Sequence, residues 1–135
     1  MALLSKLSNY KNFGLLLVRT GLGITFIHYG YPMLMGGVHG WKETGYATRY
    51  IGINFLPIVW GFLAAVTETF GGFLLIIGMA FRPVCILLCI TLIIATATHL
   101  GKGEGFSGAV HAIEDAFIFA GLLFVGPGKY SVDKK

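Results

Sequence analysis

The chain has 135 residues, of which 56% are hydrophobic and 12% charged, and its mean hydropathy is +0.78. A soluble domain carries about twice that charged share, so composition argues against a soluble fold and for a single membrane domain spanning residues 1–135. The net charge of +4 comes from scattered single residues at segment ends, with no basic stripe or arm, which excludes a nucleic-acid partner.

Four apolar segments follow in chain order: about Phe13 to Tyr31, Pro57 to Ala80, Pro83 to Leu100, and Gly108 to Val125. Each is near the roughly 20 residues that cross a hydrocarbon core of about 30 Å. Backbone groups in lipid must be satisfied within the segment, so the spans are helices. No period-two alternation supports a barrel. The expected fold is all-α, an integral membrane four-helix bundle. The connection from Pro32 to Leu56 contains Trp41-Lys42-Glu43-Thr44-Gly45-Tyr46-Ala47-Thr48-Arg49-Tyr50. Its aromatic and polar mixture suits a short interfacial helix in the first outer loop, or an ordered loop at the headgroup level. Phe81-Arg82 joins spans two and three, Leu100 to Ser107 is glycine-rich, and Gly126-Pro127-Gly128-Lys129 reads as a helix stop with a lysine at the headgroups.

Four spans put both termini on one side, with Lys6, Lys11, Arg82, Lys129, Lys134 and Lys135. The other side has Lys42, Arg49 and Lys102. The positive-inside rule then predicts a cell (inner) membrane protein with both termini cytoplasmic. The first span holds Arg19 and ends in Tyr29-Gly30-Tyr31-Pro32, which does not read as a cleavable signal peptide. Cys85 and Cys89 lie one turn apart inside a span, where a straight helix bridges them poorly and packing is their ordinary use.

Ionisable residues inside spans are costly and point to function. Here they are Arg19, His28, Glu68, His99, His111, Glu114 and Asp115. Helical rise places Arg19 and Glu68 at depths differing by only a few Å, which predicts an ion pair between helices one and two. Such a pair either fixes register or serves chemistry. Gly61, Ala64, Glu68 and Gly72 form one stripe that lets a helix approach closely. Arg19, Gly23 and Gly30 share one face of the first span, and Gly14, Gly21 and His28 the opposite face, so that span should contact partners on both sides. His111, Glu114 and Asp115 share a face of the fourth span. With His28 and His99 at similar depth they form an expected outer layer of three histidines and two carboxylates. Such a layer suits proton movement coupled to quinone chemistry, binding of a metal, or receipt of a small polar substrate. No zinc or haem ligand spacing is present.

The chain resembles the DoxX/DoxD-like membrane proteins. The motifs are Leu17-Val18-Arg19-Thr20-Gly21-Leu22-Gly23-Ile24-Thr25-Phe26 with Gly30-Tyr31-Pro32, Glu68-Thr69-Phe70-Gly71-Gly72-Phe73-Leu74-Leu75 with Gly78 and Arg82, and the terminal Gly126-Pro127-Gly128-Lys129-Tyr130-Ser131-Val132-Asp133. The family is similar to the membrane subunit of thiosulfate:quinone oxidoreductase, and Arg19 and Glu68 fall on its charged positions. Tyr29 stands where the family often has His, and Met33 where it often has Lys. The resemblance implies a quinone-linked oxidoreductase subunit acting on thiosulfate or another small sulfur compound at the outer face. His111, Glu114, Asp115, Glu68 and Arg19 are then the catalytic candidates, and His28 and His99 candidates for holding the quinone. Further partners would be another membrane or periplasmic subunit, or a homo-oligomer. The alternatives are a non-catalytic anchor or assembly subunit, and a metal or small-molecule binding or transport protein.

Overall fold

A computed structural model describes residues 2–133 of the chain; Lys134 and Lys135, counted above among the terminal-side cations, lie outside the described residues. Five α-helices form the frame: α1 Lys11–Met35, α2 Gly37–Gly45, α3 Pro57–Ile77, α4 Phe81–Gly101 and α5 Gly105–Val125. A helical turn Ala2–Ser5 and a 3-10 helix Lys6–Tyr10 precede α1, and a second 3-10 helix, Tyr46–Ile51, follows α2. Helices α1, α3, α4 and α5 are each long and apolar enough to cross a membrane. The described residues contain no strand.

The helix ends differ from those expected in ways local chemistry explains. Helix α1 runs past Pro32 to Met35. Proline removes the amide that would bond the carbonyl four residues back, so α1 lacks one ladder hydrogen bond in its last turn. Helix α3 stops at Ile77 because Gly78 takes φ +72° and its amide closes on the Leu74 carbonyl, the usual glycine stop. The stretch Trp41 to Tyr50 is helical throughout, α-helix to Gly45 and 3-10 beyond it.

Glycines set the helix contacts. A Cβ on Gly23 would meet the Gly72 carbonyl at 2.5 Å, one on Gly72 the Gly23 carbonyl at 2.6 Å, and one on Gly30 the Thr69 amide at 2.6 Å. So α1 lies backbone to backbone along α3. Helix α2 docks on the start of α3 in the same manner, Gly45 against Pro57 and Gly61 against Trp41. Between the long helices, Phe26, Leu75, Phe81, Cys85, Leu88, Leu92, Phe119 and Leu122 form the core. Phe26 of α1 meets Phe119 of α5 edge to face, centroids 5.3 Å apart, an arrangement aromatic pairs favour. Cys85 is a buried free thiol and the Cys89 thiol points at the Ala116 carbonyl at 3.6 Å, so both act as packing residues.

The start of α1 and the described part of the tail meet at one end of the bundle, and the tail ties that end together. The Lys129 amide donates to Asn12 Oδ1, the Val132 and Asp133 amides donate to the Ile77 and Gly78 carbonyls, and Asp133 accepts from the Ala80 and Phe81 amides. The carboxylate thus satisfies orphan donors at the start of α4 and complements its dipole. The tail is more than a helix stop.

Candidate functional site

The expected Arg19–Glu68 ion pair does not form. The contacts of Gly23 with Gly72 and of Gly30 with Thr69 set the register of α1 against α3. In that register Arg19 lies level with Gly78, and Glu68 lies level with Gly30. Eleven residues of α1 separate those levels, about 16 Å at the helical rise. Arg19 is fully buried and its Nη2 donates to the Tyr130 carbonyl at 2.5 Å. Its Nε and Nη1 have no hydrogen-bond partner. It rests against Gly78 at the carbonyl end of α3, where the helix dipole favours a cation.

Glu68 lines a cleft of about 410 Å³ between α3 and α4 toward the loop end of the bundle. Its position, eleven residues into α3, puts it about 16 Å from that helix start, near mid-span. Among the described residues it has no hydrogen bond or ion pair. The walls are apolar: Trp60, Leu63, Ala64, Leu87, Ile90 and Ile94. Polar exceptions are Thr67 and Thr91 at depth, and Thr44, Thr48, Thr98, His99 and Lys102 toward the mouth. The Thr91 and Thr98 hydroxyls bond the Leu87 and Ile94 carbonyls of their own helix, and still offer acceptor lone pairs to the cleft. Leu63, Leu87 and Ile90 are also exposed on the outside of the bundle, so the cleft faces the lipid laterally. Its size lies within the range of small-molecule sites, which pair apolar walls with a few polar groups.

A second cavity of about 400 Å³ adjoins the first, with Thr44, Ala47, Thr98 and Lys102 lining both. Its other walls are Glu43, Tyr46, Arg49 and Tyr50. Arg49 and Lys102 have no carboxylate partner among the described residues. The Arg49 guanidinium lies 5.0 Å from the Tyr50 ring centre and bonds its hydroxyl at 3.1 Å. Tyr50 in turn packs on Gly101. Glu43 is engaged with His39 at 3.2 Å. The 3-10 helix Tyr46–Ile51 positions this vestibule, held by Thr48, which donates to the Gly45 and Ile53 carbonyls.

The expected outer layer of three histidines and two carboxylates does not assemble into one site. His99 lines the cleft and pairs with Glu104. His111 pairs with Asp115 at 3.4 Å on its own helix, and its side chain is 69% exposed. Glu114 and His28 are exposed, and neither they nor His111 and Asp115 line the cleft. Among the described residues no three His, Cys, Asp or Glu side chains are placed to share a metal ion. Of the two expected faces of α1, the one with Arg19, Gly23 and Gly30 is buried, while Gly14 and Gly21 face open space. Sequence reasoning missed the vestibule altogether. Its signal was a pair of cations, Arg49 between Thr48 and Tyr50 and Lys102 between Gly101 and Gly103, which the charge count used only for topology.

These features define a multi-pass helical membrane protein with a lateral cleft and a polar vestibule at its loop end. The profile of the DoxX family matches residues 14–101, and the chain belongs to that family. Comparison with the curated proteins and with the solved structures returns no match. The family match covers α1 to α4; helix α5 and the tail that caps the bundle lie beyond it.

Proposed function

We propose that this protein is the membrane subunit of a quinone-linked oxidoreductase acting on thiosulfate or another small sulfur anion, with the loop end of the bundle facing outside. One observation carries the reading. An apolar cleft that ends on a lone mid-span carboxyl group adjoins a polar vestibule whose two cations lack carboxylate partners. The distribution of basic residues supports the orientation.

The residues present fit a quinone headgroup. The cleft is apolar, reachable from lipid, and supplies one carboxyl group and two hydroxyl groups at depth. A quinone, when bound, supplies a two-electron, two-proton acceptor. Glu68 holds a proton at its carboxyl group and delivers it to an oxygen in the cleft. His99 and Glu104 at the mouth return a proton from water, as a histidine beside a carboxylate is suited to do. Arg49 and Lys102 hold the sulfur anion in the vestibule and offset the repulsion when two such anions, each giving up one electron, join through a sulfur–sulfur bond.

The test is thiosulfate-dependent reduction of a short-chain quinone by the purified protein in lipid nanodiscs. The reading expects turnover that needs both compounds; no turnover with any small sulfur anion tried, with the fold intact, speaks against it. A second reading, a non-catalytic assembly subunit, is favoured by the open Gly14 and Gly21 face of α1. It expects co-purification of a stoichiometric partner and no turnover.

A further inference from the structure

The stretch ahead of α1, Ala2–Ser5 and Lys6–Tyr10, is exposed along its whole length and contacts no helix of the bundle but α1. Its residues nonetheless sort into two faces. In a 3-10 helix positions three apart eclipse, so Leu7 lines up with Tyr10, and Lys6 with Asn9. In the turn before it, Leu3 stands four residues from Leu7 and Leu4 three, on the same side. Leu3, Leu4, Leu7 and Tyr10 each leave more than half of their surface uncovered. The other side carries Ser5, Lys6, Ser8 and Asn9.

The stretch also lies beyond what a crossing needs. The helical run Ala2–Met35 has 34 residues, whereas α1 alone, about 38 Å at the helical rise, already exceeds a hydrocarbon core of about 30 Å. Asn12 accepts the Lys129 amide, and Asp133 of the same tail holds the first turn of α4, where Arg82 lies. The rim of the bundle is therefore beside the start of α1. Tyr10, at φ −105° and ψ 24°, leaves helical geometry between the two pieces, so the stretch can turn off the α1 axis at that rim.

We propose that Ala2–Tyr10 lies on the membrane surface as an amphipathic anchor, with Leu3, Leu4, Leu7 and Tyr10 in the acyl boundary and Lys6 and Lys11 on anionic phospholipid headgroups. Charge decides for this occupant. The chain has no acidic residue before Glu43, and Arg82 and Lys129 add two cations at the same rim. A basic polar side opposite leucines and a tyrosine is the pattern of an interfacial helix, and lysines near an anionic surface are drawn to it. The stretch is too short to hold a bilayer unaided, but α1 keeps it at the interface, so its own contact is intramolecular. A second copy of the chain would set the same lysines against each other there.

The test uses the full-length protein in a Cys85→Ala/Cys89→Ala background, in vesicles of phosphatidylcholine with and without phosphatidylglycerol. Single introduced cysteines carry a nitroxide, whose collisions with oxygen, concentrated in the bilayer, and with a water-soluble nickel chelate report depth. With phosphatidylglycerol present, the oxygen-to-nickel ratio at Leu3→Cys and Leu7→Cys should exceed that at Ser5→Cys and Asn9→Cys by about threefold or more, as for a face sunk about 5–10 Å into the boundary. Lys6→Gln in the Leu7→Cys protein should shift the ratio of bound to free stretch, read from the two components of the spectrum, roughly fivefold toward free in those vesicles. In phosphatidylcholine alone it should leave that ratio unchanged. The stretch packs on no helix but α1, so these variants should keep the unfolding midpoint of their background, and lost binding is then not lost folding. Equal water exposure of the two faces, burial of Leu7→Cys that ignores Lys6→Gln, or labels held by protein contact that raising the lipid-to-protein ratio releases overturns the proposal.

Discussion

Arg19 of α1 donates its Nη2 proton to the carbonyl oxygen of Tyr130 at 2.5 Å, across 111 residues of sequence. This contact and the paired amides of Val132 and Asp133 fix the tail over the ends of α1, α3 and α4. Glu68 belongs to another level of the bundle. A double-mutant cycle of Arg19→Met and Glu68→Gln, read by thermal or denaturant unfolding in detergent, should therefore show coupling within about 0.5 kcal/mol, as for separated sites. Coupling well above about 1 kcal/mol would restore the direct pair.

Asp133 is the remote cap of α4, and Ala80 beside it takes φ +50°, a conformation non-glycine residues avoid. Asp133→Ala should cost about 1–2 kcal/mol, the range of helix caps and their charge effect. Asp133→Asn should cost less, because the amide oxygen still accepts from Ala80 or Phe81. Unfolding midpoints of the two variants check this.

The α1–α3 contact has no room for a methyl group at Gly23, whose obstacle is the Gly72 backbone carbonyl. Gly23→Ala should destabilise by about 1–3 kcal/mol, as overpacking does. Gly14→Ala and Gly21→Ala, which face open space, should change stability by less than about 0.5 kcal/mol or raise it. Equal effects at all three positions would contradict the assignment of faces.

The four spans were legible in the sequence because length and hydropathy are local properties. So were the buried face of Arg19, Gly23 and Gly30 and the short helix after α1. The Arg19–Glu68 pair was misread because equal depth was measured from estimated helix ends. Helix α1 extends four residues past Tyr31, and glycine contacts, which no single-sequence depth count sees, set the register. The histidine layer failed for a related reason. Depth along a helix says nothing of azimuth, and His28, His111 and Glu114 point away from the cleft that His99 lines. The tail motif showed its glycines but not its targets, since the partners of Asp133 lie more than fifty residues away.

If Arg49 and Lys102 seat an anion, Arg49→Ala and Lys102→Ala should each raise KM for the sulfur compound roughly tenfold while kcat changes by less than about threefold, the signature of lost ground-state binding. Steady-state kinetics at fixed quinone separate the two constants. Ala64→Trp, which fills the cleft, should instead abolish quinone turnover and leave binding of the anion unchanged.

Glu68 carries the central claim, and its replacement is the most direct measurement. In nanodiscs, with thiosulfate and a short-chain quinone saturating, Glu68→Gln should keep the wild-type unfolding midpoint and lose at least about a hundredfold in kcat, the low end for removing a positioned proton donor. A Glu68→Gln protein that turns over at the wild-type rate would contradict the account.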